Sequence, residues 1–441
     1  MTVERRATAE NTAAGHAARP GVPLFEQGFR PFFLLAGLVA VGVILPWVAA
    51  LHGAALPDGP LPLPLWHAHE MLAGFVGAAM AGFLLTAIPN WLGGPGYGGA
   101  PLAFAAGAFL AARVAFAPGS PVPVGVAAAL GLLPIPLLLL RVAPALARSR
   151  RARVFGPPAL VLAFWAADVL MLGDAAGWWE ANTWDTGKLL ALDLGVLLVG
   201  LIGGRIVPSF TLNALRKRVH RAAPPSRNRL FGPSSRSLRD GSPRDGDVGE
   251  ADKAPEPSPA FPRADEVANL SLAAVVLVDV AAPGGPAAGA VAALAAVLCA
   301  LRLSRWHGWR VAGEPILLVL HAAWAFVPLG LAVKAVALIG GAAWASVAWL
   351  HLLGAGALGL MALAVMTRAT LGHTGRDLRA DSATVAAYAL VAAAALIRAF
   401  GPAAMPHGAA YGLAGASWVA GFGLFLWRFA PMLIAPRVER G

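Results

Sequence analysis

The sequence predicts an all-α membrane protein with about twelve transmembrane helices. Of its 441 residues, 58% are hydrophobic and only 13% are charged, whereas a soluble domain carries roughly 25% charged residues. Apolar runs of 18 or more residues recur along the whole chain. Each run is long enough to cross a hydrocarbon core of about 30 Å as a helix.

The apolar runs define twelve predicted spans. The fourth span carries Pro134 and Pro136, and proline disturbs the helix interior because it lacks an N–H donor. The third span is short, so the boundaries of these two are the least well defined. The spans lie at about 31–50, 68–88, 101–117, 122–140, 154–173, 187–207, 264–282, 286–302, 313–333, 343–367, 382–400 and 409–429.

Polar segments divide the chain into two transmembrane halves, 29–212 and 264–432. Residues 213–263 are rich in Pro, Ser and Arg, a composition typical of disordered linkers because it cannot bury enough apolar surface to fold. We predict a disordered cytoplasmic linker there. Residues 1–28 are predicted to be a disordered N-terminal tail, and 433–441 a short C-terminal tail.

The placement of Lys and Arg predicts that both termini are cytoplasmic. Of the 34 Lys and Arg, 29 lie in the tails, in the linker or in loops on the same predicted side, as the positive-inside rule requires. The loop GDAAGWWEANTWD on the other side is acidic and carries three Trp. The net charge of +11 is therefore a topology signal, and it does not indicate a nucleic-acid partner.

A weak internal repeat appears at an offset of 157 residues. RVFGPPALVL begins at Arg153 and RVAGEPILLV at Arg310. A helix that enters from the predicted outer side lies one span after each, and one also follows the first span; these helices carry His69, Asp193 and His351. The pattern predicts three units of four helices arranged in a ring, with sites where the units meet. Chance matches in Ala-, Leu- and Gly-rich segments are the alternative.

The stretch WHAHEM places two imidazoles and a carboxylate at the start of the second span. Residues two apart on a helix point about 200° apart, so His67 and His69 cannot both face one ion. His67 and Glu70 are three apart and are predicted to share a face. The motif suits two partners on opposite faces, or one ligand with one orienting hydrogen bond.

Other ionisable groups lie deeper in the spans. His351 and Asp193 fall in the predicted outer half of the membrane, and His321 enters from the cytoplasmic side. A neutral His can simply hydrogen-bond between helices, whereas an intramembrane carboxylate indicates a functional site. Imidazole suits iron, copper and zinc. Because Cys299 is the only cysteine, haem or copper is favoured over an iron–sulfur cluster.

Three long strings of sequence resemble the NnrS family. They are WHAHEM with the later GFLLTAIPNWLGG, GGRIVPSFTLN at 203–213, and LHLLGAGALGLMALAVMTRATLGHTGR at 350–376. The resemblance covers the chain from FRPFF at 29–33 to about residue 430. One departure is Leu92, which stands where the family pattern has a threonine.

The resemblance implies a bacterial inner-membrane protein that contains haem and copper and acts in nitric-oxide metabolism. It would bind or detoxify nitric oxide in denitrification or the nitrosative-stress response, with an electron donor as a further partner. Whether it turns over or only binds stays open. Residues in places that match the family, together with the intramembrane carboxylate Asp193, are the candidates: His69, His351 and His321 for the cofactor; His67, His69, Glu70 and His351 for metal; and Asp193, Arg205, His373 and Arg376 for supporting roles.

Two other functions are compatible with the sequence. Twelve spans with a central linker are common in transporters, and the intramembrane His and Asp could carry a metal ion, a small molecule or protons. A sensor or scaffold acting through the linker is the third reading. The predicted ring of three units also resembles the haem–copper oxidases, although an analogy of fold does not establish function.

Overall fold

The structure, a computed structural model, describes residues 22–94, 96–149, 154–222 and 263–439. Within these residues the chain forms twelve long helices and no β-strand. The helices are α1 Phe29–Leu51, α2 Leu63–Leu92, α3 Ala100–Ala115, α4 Val124–Ala147, α5 Gly156–Ala175, α6 Trp184–Ala222, α7 Ala264–Ala281, α8 Pro286–Ser304, α9 Pro315–Gly340, α10 Ala345–His373, α11 Ser382–Phe400 and α12 His407–Ile434.

The predicted fold class is confirmed. Ten of these helices are long and apolar enough to cross a membrane. The other two are α3, which has 16 residues, and α7, whose 18 residues include three acidic side chains. The protein is therefore a multi-pass helical membrane protein, with one described helix for each predicted span.

Four helices form the interior of the bundle. In α2, α6, α9 and α10, 67–72% of the most apolar 18-residue window is buried, against 33–44% in the other long apolar helices. Large apolar side chains on α8 and α12, such as Leu294 and Trp427, are exposed, as lipid contact requires. The interior helices therefore carry most groups that could form a site.

Two interior helices are interrupted at equivalent places. In α2 the α-helical turns end at His69 and a π-helical stretch follows over Glu70–Val76. In α10 they end at His351 and a π-helical stretch follows over Leu352–Gly359. Wide π-helical turns are rare and occur mostly at functional sites. The two stretches contact each other and α6, so they meet at the centre of the bundle.

The remaining expectations are met in part. Helix α4 is interrupted after Leu132 and resumes at Pro134, as its prolines predict. Helix α6 continues to Ala222, so the first ten residues of the predicted linker are helical. The rest of the linker, and most of the N-terminal tail, lie outside the described residues. The ring of three four-helix units stays a prediction, although α2, α6 and α10 do meet.

Candidate functional site

A cavity opens at the end of the bundle where α2, α6, α10 and α12 begin, which is the predicted outer face. Its empty space is about 1080 Å³, a figure that includes open solvent at its mouth. The lining is mostly apolar and aromatic. Ionisable side chains and an aromatic hydroxyl interrupt it: His67, Lys188, His351, Arg398 and Tyr411.

His67 and His351 both face this cavity. The His67 ring stacks on Trp47 of α1, with centroids 4.6 Å apart and an angle of 8° between the planes. Its Nδ1 is buried and has no hydrogen-bond partner. His351 Nδ1 lies 3.0 Å from the carbonyl oxygen of Val347. Because a carbonyl can only accept, that nitrogen must carry the proton, which leaves the Nε2 lone pair available to a ligand.

Two cationic groups line the same cavity. Lys188 comes from the first turns of α6 and Arg398 from the last turn of α11. Lys188 pairs with Asp185, and the Arg398 guanidinium lies over the Tyr411 ring at 4.3 Å from its centroid. A mostly apolar cavity with cations and imidazoles suits a flat, apolar ligand that carries negative groups.

Glycines leave space on one wall. A Cβ at Gly354 would meet only Leu192, at 3.9 Å, so this part of the cavity is open because a side chain is missing. Below it, a second cavity of about 580 Å³ lies between α2, α6 and α10 and is lined only by apolar residues. Val76 lines both cavities. The two spaces therefore follow one another along the centre of the bundle.

His69 lies outside the cavity in a buried polar cluster. Its Nδ1 is 3.3 Å from Glu70 and its Nε2 is 3.2 Å from Asp168 of α5, while Arg113 of α3 pairs with Glu70 at 3.0 Å. The two carboxylates face opposite edges of the ring and do not converge on one point. With a protonated His69 the four charges balance. That balance reduces the cost of burying them.

The predicted divergence of His67 and His69 is thus observed, and Glu70 differs from expectation. The sequence placed Glu70 on the face of His67, but its carboxylate pairs with Arg113 and lies beside His69. The guanidinium on α3 explains this, because it is the cation that a buried carboxylate needs.

A second buried cluster joins α6, α7 and α9. Lys334 forms a short ion pair with Asp279, and its Nζ lies 3.9 Å from Asp193. Asp193 is buried, and its cationic partner comes from α9. The Lys334 ammonium also lies over the Trp349 ring of α10, 4.6 Å from its centroid.

The other sequence candidates lie elsewhere. His321 Nε2 is 2.9 Å from the Thr211 hydroxyl, near the start of α9. His373 ends α10 and packs against Phe29, with ring centroids 5.4 Å apart. Arg205 is exposed on α6, and Arg376 follows α10. Residues 351 and 373 are about 33 Å apart along a helix, so His373 cannot contact the same ligand as His351.

Sequence reasoning missed several residues of the site. The sequence did not indicate Arg113, Asp279 and Lys334 as partners of the candidate groups, nor Lys188 and Arg398 as lining the cavity. Asp279 and Lys334 each stand alone in an apolar run. An isolated charge of this kind within a span indicates a buried partner of opposite sign, and that signal was available.

Fold and site together define a class: a multi-pass helical membrane protein with an intramembrane cavity lined by imidazoles. A family model described as "NnrS protein" matches residues 23–437. The chain therefore belongs to the NnrS family, whose members are membrane proteins linked to nitric oxide. No curated protein matches the chain.

Proposed function

We propose that the protein binds haem in the cavity lined by His67 and His351 and binds nitric oxide there. The convergence of two imidazoles from α2 and α10 on one cavity carries the proposal. Family membership supports the link to nitric oxide. A haem held by one of the two imidazoles would supply an iron that can bind nitric oxide and a one-electron couple.

The residues of the cavity fit a haem. His67 and His351 each offer an imidazole nitrogen that the protein does not satisfy. Trp47, Trp418 and Gly354 supply flat or empty walls, against which a macrocycle can pack. Lys188 and Arg398 can pair with carboxylates. In this arrangement one imidazole would hold the iron, the aromatic walls would orient the ligand, and the apolar lining would exclude water.

Copper fits the described residues less well. Among them, no group of three or more His, Cys, Asp or Glu side chains is arranged to hold a metal ion. The cluster around His69 does not provide one, because its carboxylates face opposite ring edges. We therefore propose haem, and not copper, at this site.

We also propose the membrane, the orientation and the source of electrons that accompany this function. We expect the protein in the bacterial inner membrane with both termini in the cytoplasm, and electrons would come from a separate donor. The cavity then faces the periplasm. Whether nitric oxide is reduced or only bound depends on that donor.

A spectrum of the purified protein tests the proposal. We expect a Soret band from protein produced in haem-supplied cells. The band should shift when nitric oxide is added, with an electron paramagnetic resonance signal typical of a ferrous haem nitrosyl. Absence of haem from correctly folded protein would contradict the proposal.

Transport is the second candidate, and the cluster of Lys334, Asp193 and Asp279 favours it. Buried ionisable groups on three interior-facing helices are also typical of ion pathways. The spectrum separates the two functions. A protein without haem that moves a metal ion or a small molecule into vesicles would be a transporter.

A further inference from the structure

The cluster of Asp193, Asp279 and Lys334 contains more acid than base. Its members come from three helices, α6, α7 and α9, and their exposures are 4%, 3% and 1%. One ammonium faces two carboxyl groups. Lys334 is paired closely with Asp279 and lies 3.9 Å from Asp193 Oδ1, so its charge cannot neutralise both.

One carboxyl oxygen of Asp193 lacks a hydrogen-bond partner. This oxygen, Oδ2, is buried, although Asp193 and Asp279 both lie beside the Lys334 ammonium. Two ionised carboxylates cannot hydrogen-bond to each other, because neither carries a donor. A proton on one of them would supply that donor.

Within the described residues, Lys334 is the cation that faces Asp193. Trp349 covers the ammonium from α10 without adding charge. Ionisable side chains at the same end of the neighbouring helices have partners of their own: Asp168 with His69, Asp174 with the backbone of Thr183 and Trp184, Lys188 with Asp185, His351 with Val347, and Arg398 with Tyr411. No second cation is shown at the cluster.

The energetic argument favours one bound proton. An uncompensated buried charge costs several kcal/mol even after relaxation, by order of magnitude, and two carboxyl groups that share a site lose their protons in separate steps. With one proton shared between the carboxyl groups, the cluster is neutral and Asp193 gains a hydrogen-bond donor or acceptor role. No ligand from outside is needed.

We propose that Asp193 and Asp279 share one exchangeable proton and that this cluster is a proton-binding site of the protein. It lies near the cavity, because Leu192 lines the cavity and Trp349 precedes His351 by two residues. The site can therefore exchange a proton when the charge in the cavity changes. This coupling rests on the proposed function, whereas the proton itself does not.

Infrared spectroscopy of the full-length protein in detergent tests the proposal. Wild-type protein labelled with ¹³C at the aspartate carboxyl should show a protonated-carboxyl stretching band that shifts in D₂O. Asp193→Asn and Asp279→Asn should each remove it, because either change leaves one carboxylate for one ammonium. Lys334→Gln should raise the band about twofold, since two carboxyl groups then need protons.

Asp174→Asn is the matched control. Asp174 lies at the same end of the bundle and accepts backbone hydrogen bonds, so its loss should leave the band unchanged. A wild-type protein without the labelled band, or with a band that survives both Asp193→Asn and Asp279→Asn, overturns the proposal. So does a band that disappears when Na⁺ or K⁺ is added, because a metal cation would then be the occupant. The infrared band can be measured whether or not the protein shows a Soret band. Failure of the haem proposal can therefore be distinguished from failure of the proton proposal.

Discussion

His67 and His69 are two residues apart and lie in different environments. The helical turn points His67 to Trp47 and the cavity and points His69 to Asp168. His69 and His351 are both cofactor candidates from the sequence, and they occupy equivalent positions in the predicted repeat. The cavity lining favours His67, whose nitrogens are not held between carboxylates. The ligand assignment can be decided by substitution.

We predict that His67→Ala and His351→Ala each lower the haem content of the purified protein, because each removes an imidazole from the cavity. His52→Ala and His373→Ala should leave it unchanged, since His52 is exposed and His373 lies at the far end of α10. The measurement is haem per protein by the pyridine haemochrome method. Full haem content in both His67→Ala and His351→Ala would refute the site.

His69→Ala is predicted to act mainly on stability. The change leaves Asp168 buried without its imidazole partner, and breaking a buried ion pair costs about 3–5 kcal/mol. Thermal unfolding in detergent should show a clear drop in midpoint relative to wild type, with His52→Ala as the control. If His69→Ala instead unfolds like wild type and loses its haem, His69 is the ligand.

At the scale of the element, the π-helical stretches open the cavity wall. Both begin directly after a histidine, and the stretch in α10 is rich in small residues. In α10 the missing side chain at Gly354 leaves a gap that only Leu192 approaches. Gly356 is different, because a Cβ there would lie 2.3 Å from Phe326. The first glycine therefore shapes the cavity and the second permits helix packing.

Gly354→Leu should fill the cavity without preventing folding. Extra volume in a packed site typically costs about 1–3 kcal/mol, which corresponds to roughly 5- to 150-fold weaker haem binding. Haem titration of the apoprotein measures the change. Gly423→Leu on α12 is the control, since a Cβ there meets nothing within 4 Å and Gly423 does not line the cavity. Equal affinities in the two variants would contradict the prediction.

At the scale of the whole molecule, the cavity lies where even-numbered helices begin, and orientation decides which compartment it faces. Cys299 is buried and is the only cysteine, so single introduced cysteines can report accessibility. Ala54 precedes α2 and Arg379 follows α10, and both are exposed. They lie at opposite ends of the bundle.

We predict that a membrane-impermeant thiol reagent labels Ala54→Cys in cells with a permeabilised outer membrane. Arg379→Cys should be labelled only after lysis, because the positive-inside rule places its loop in the cytoplasm. Wild-type protein, with its buried Cys299, is the control for background. Labelling of Arg379→Cys in unlysed cells would reverse the topology and turn the cavity to the cytoplasm.

The sequence by itself determined the class of fold and the number of helices. Hydrophobic runs are local, and a chain in lipid must satisfy its backbone within each helix, so span prediction needs no knowledge of partners. The opposite directions of His67 and His69 also followed from helix geometry alone. The π-helical stretches did not, because their wide turns depend on how α2 and α10 pack against each other.

Only the tertiary structure decided which side chains meet. Asp193 faces Lys334 across 141 positions of sequence, and Glu70 finds Arg113 on α3. Such pairings depend on helix rotation and depth, which hydropathy does not specify, and on the need of each buried charge for a partner. For that reason the sequence indicated the ionisable groups, while packing assigned His67 and His351 to the cavity and His69 and Asp193 to separate buried clusters.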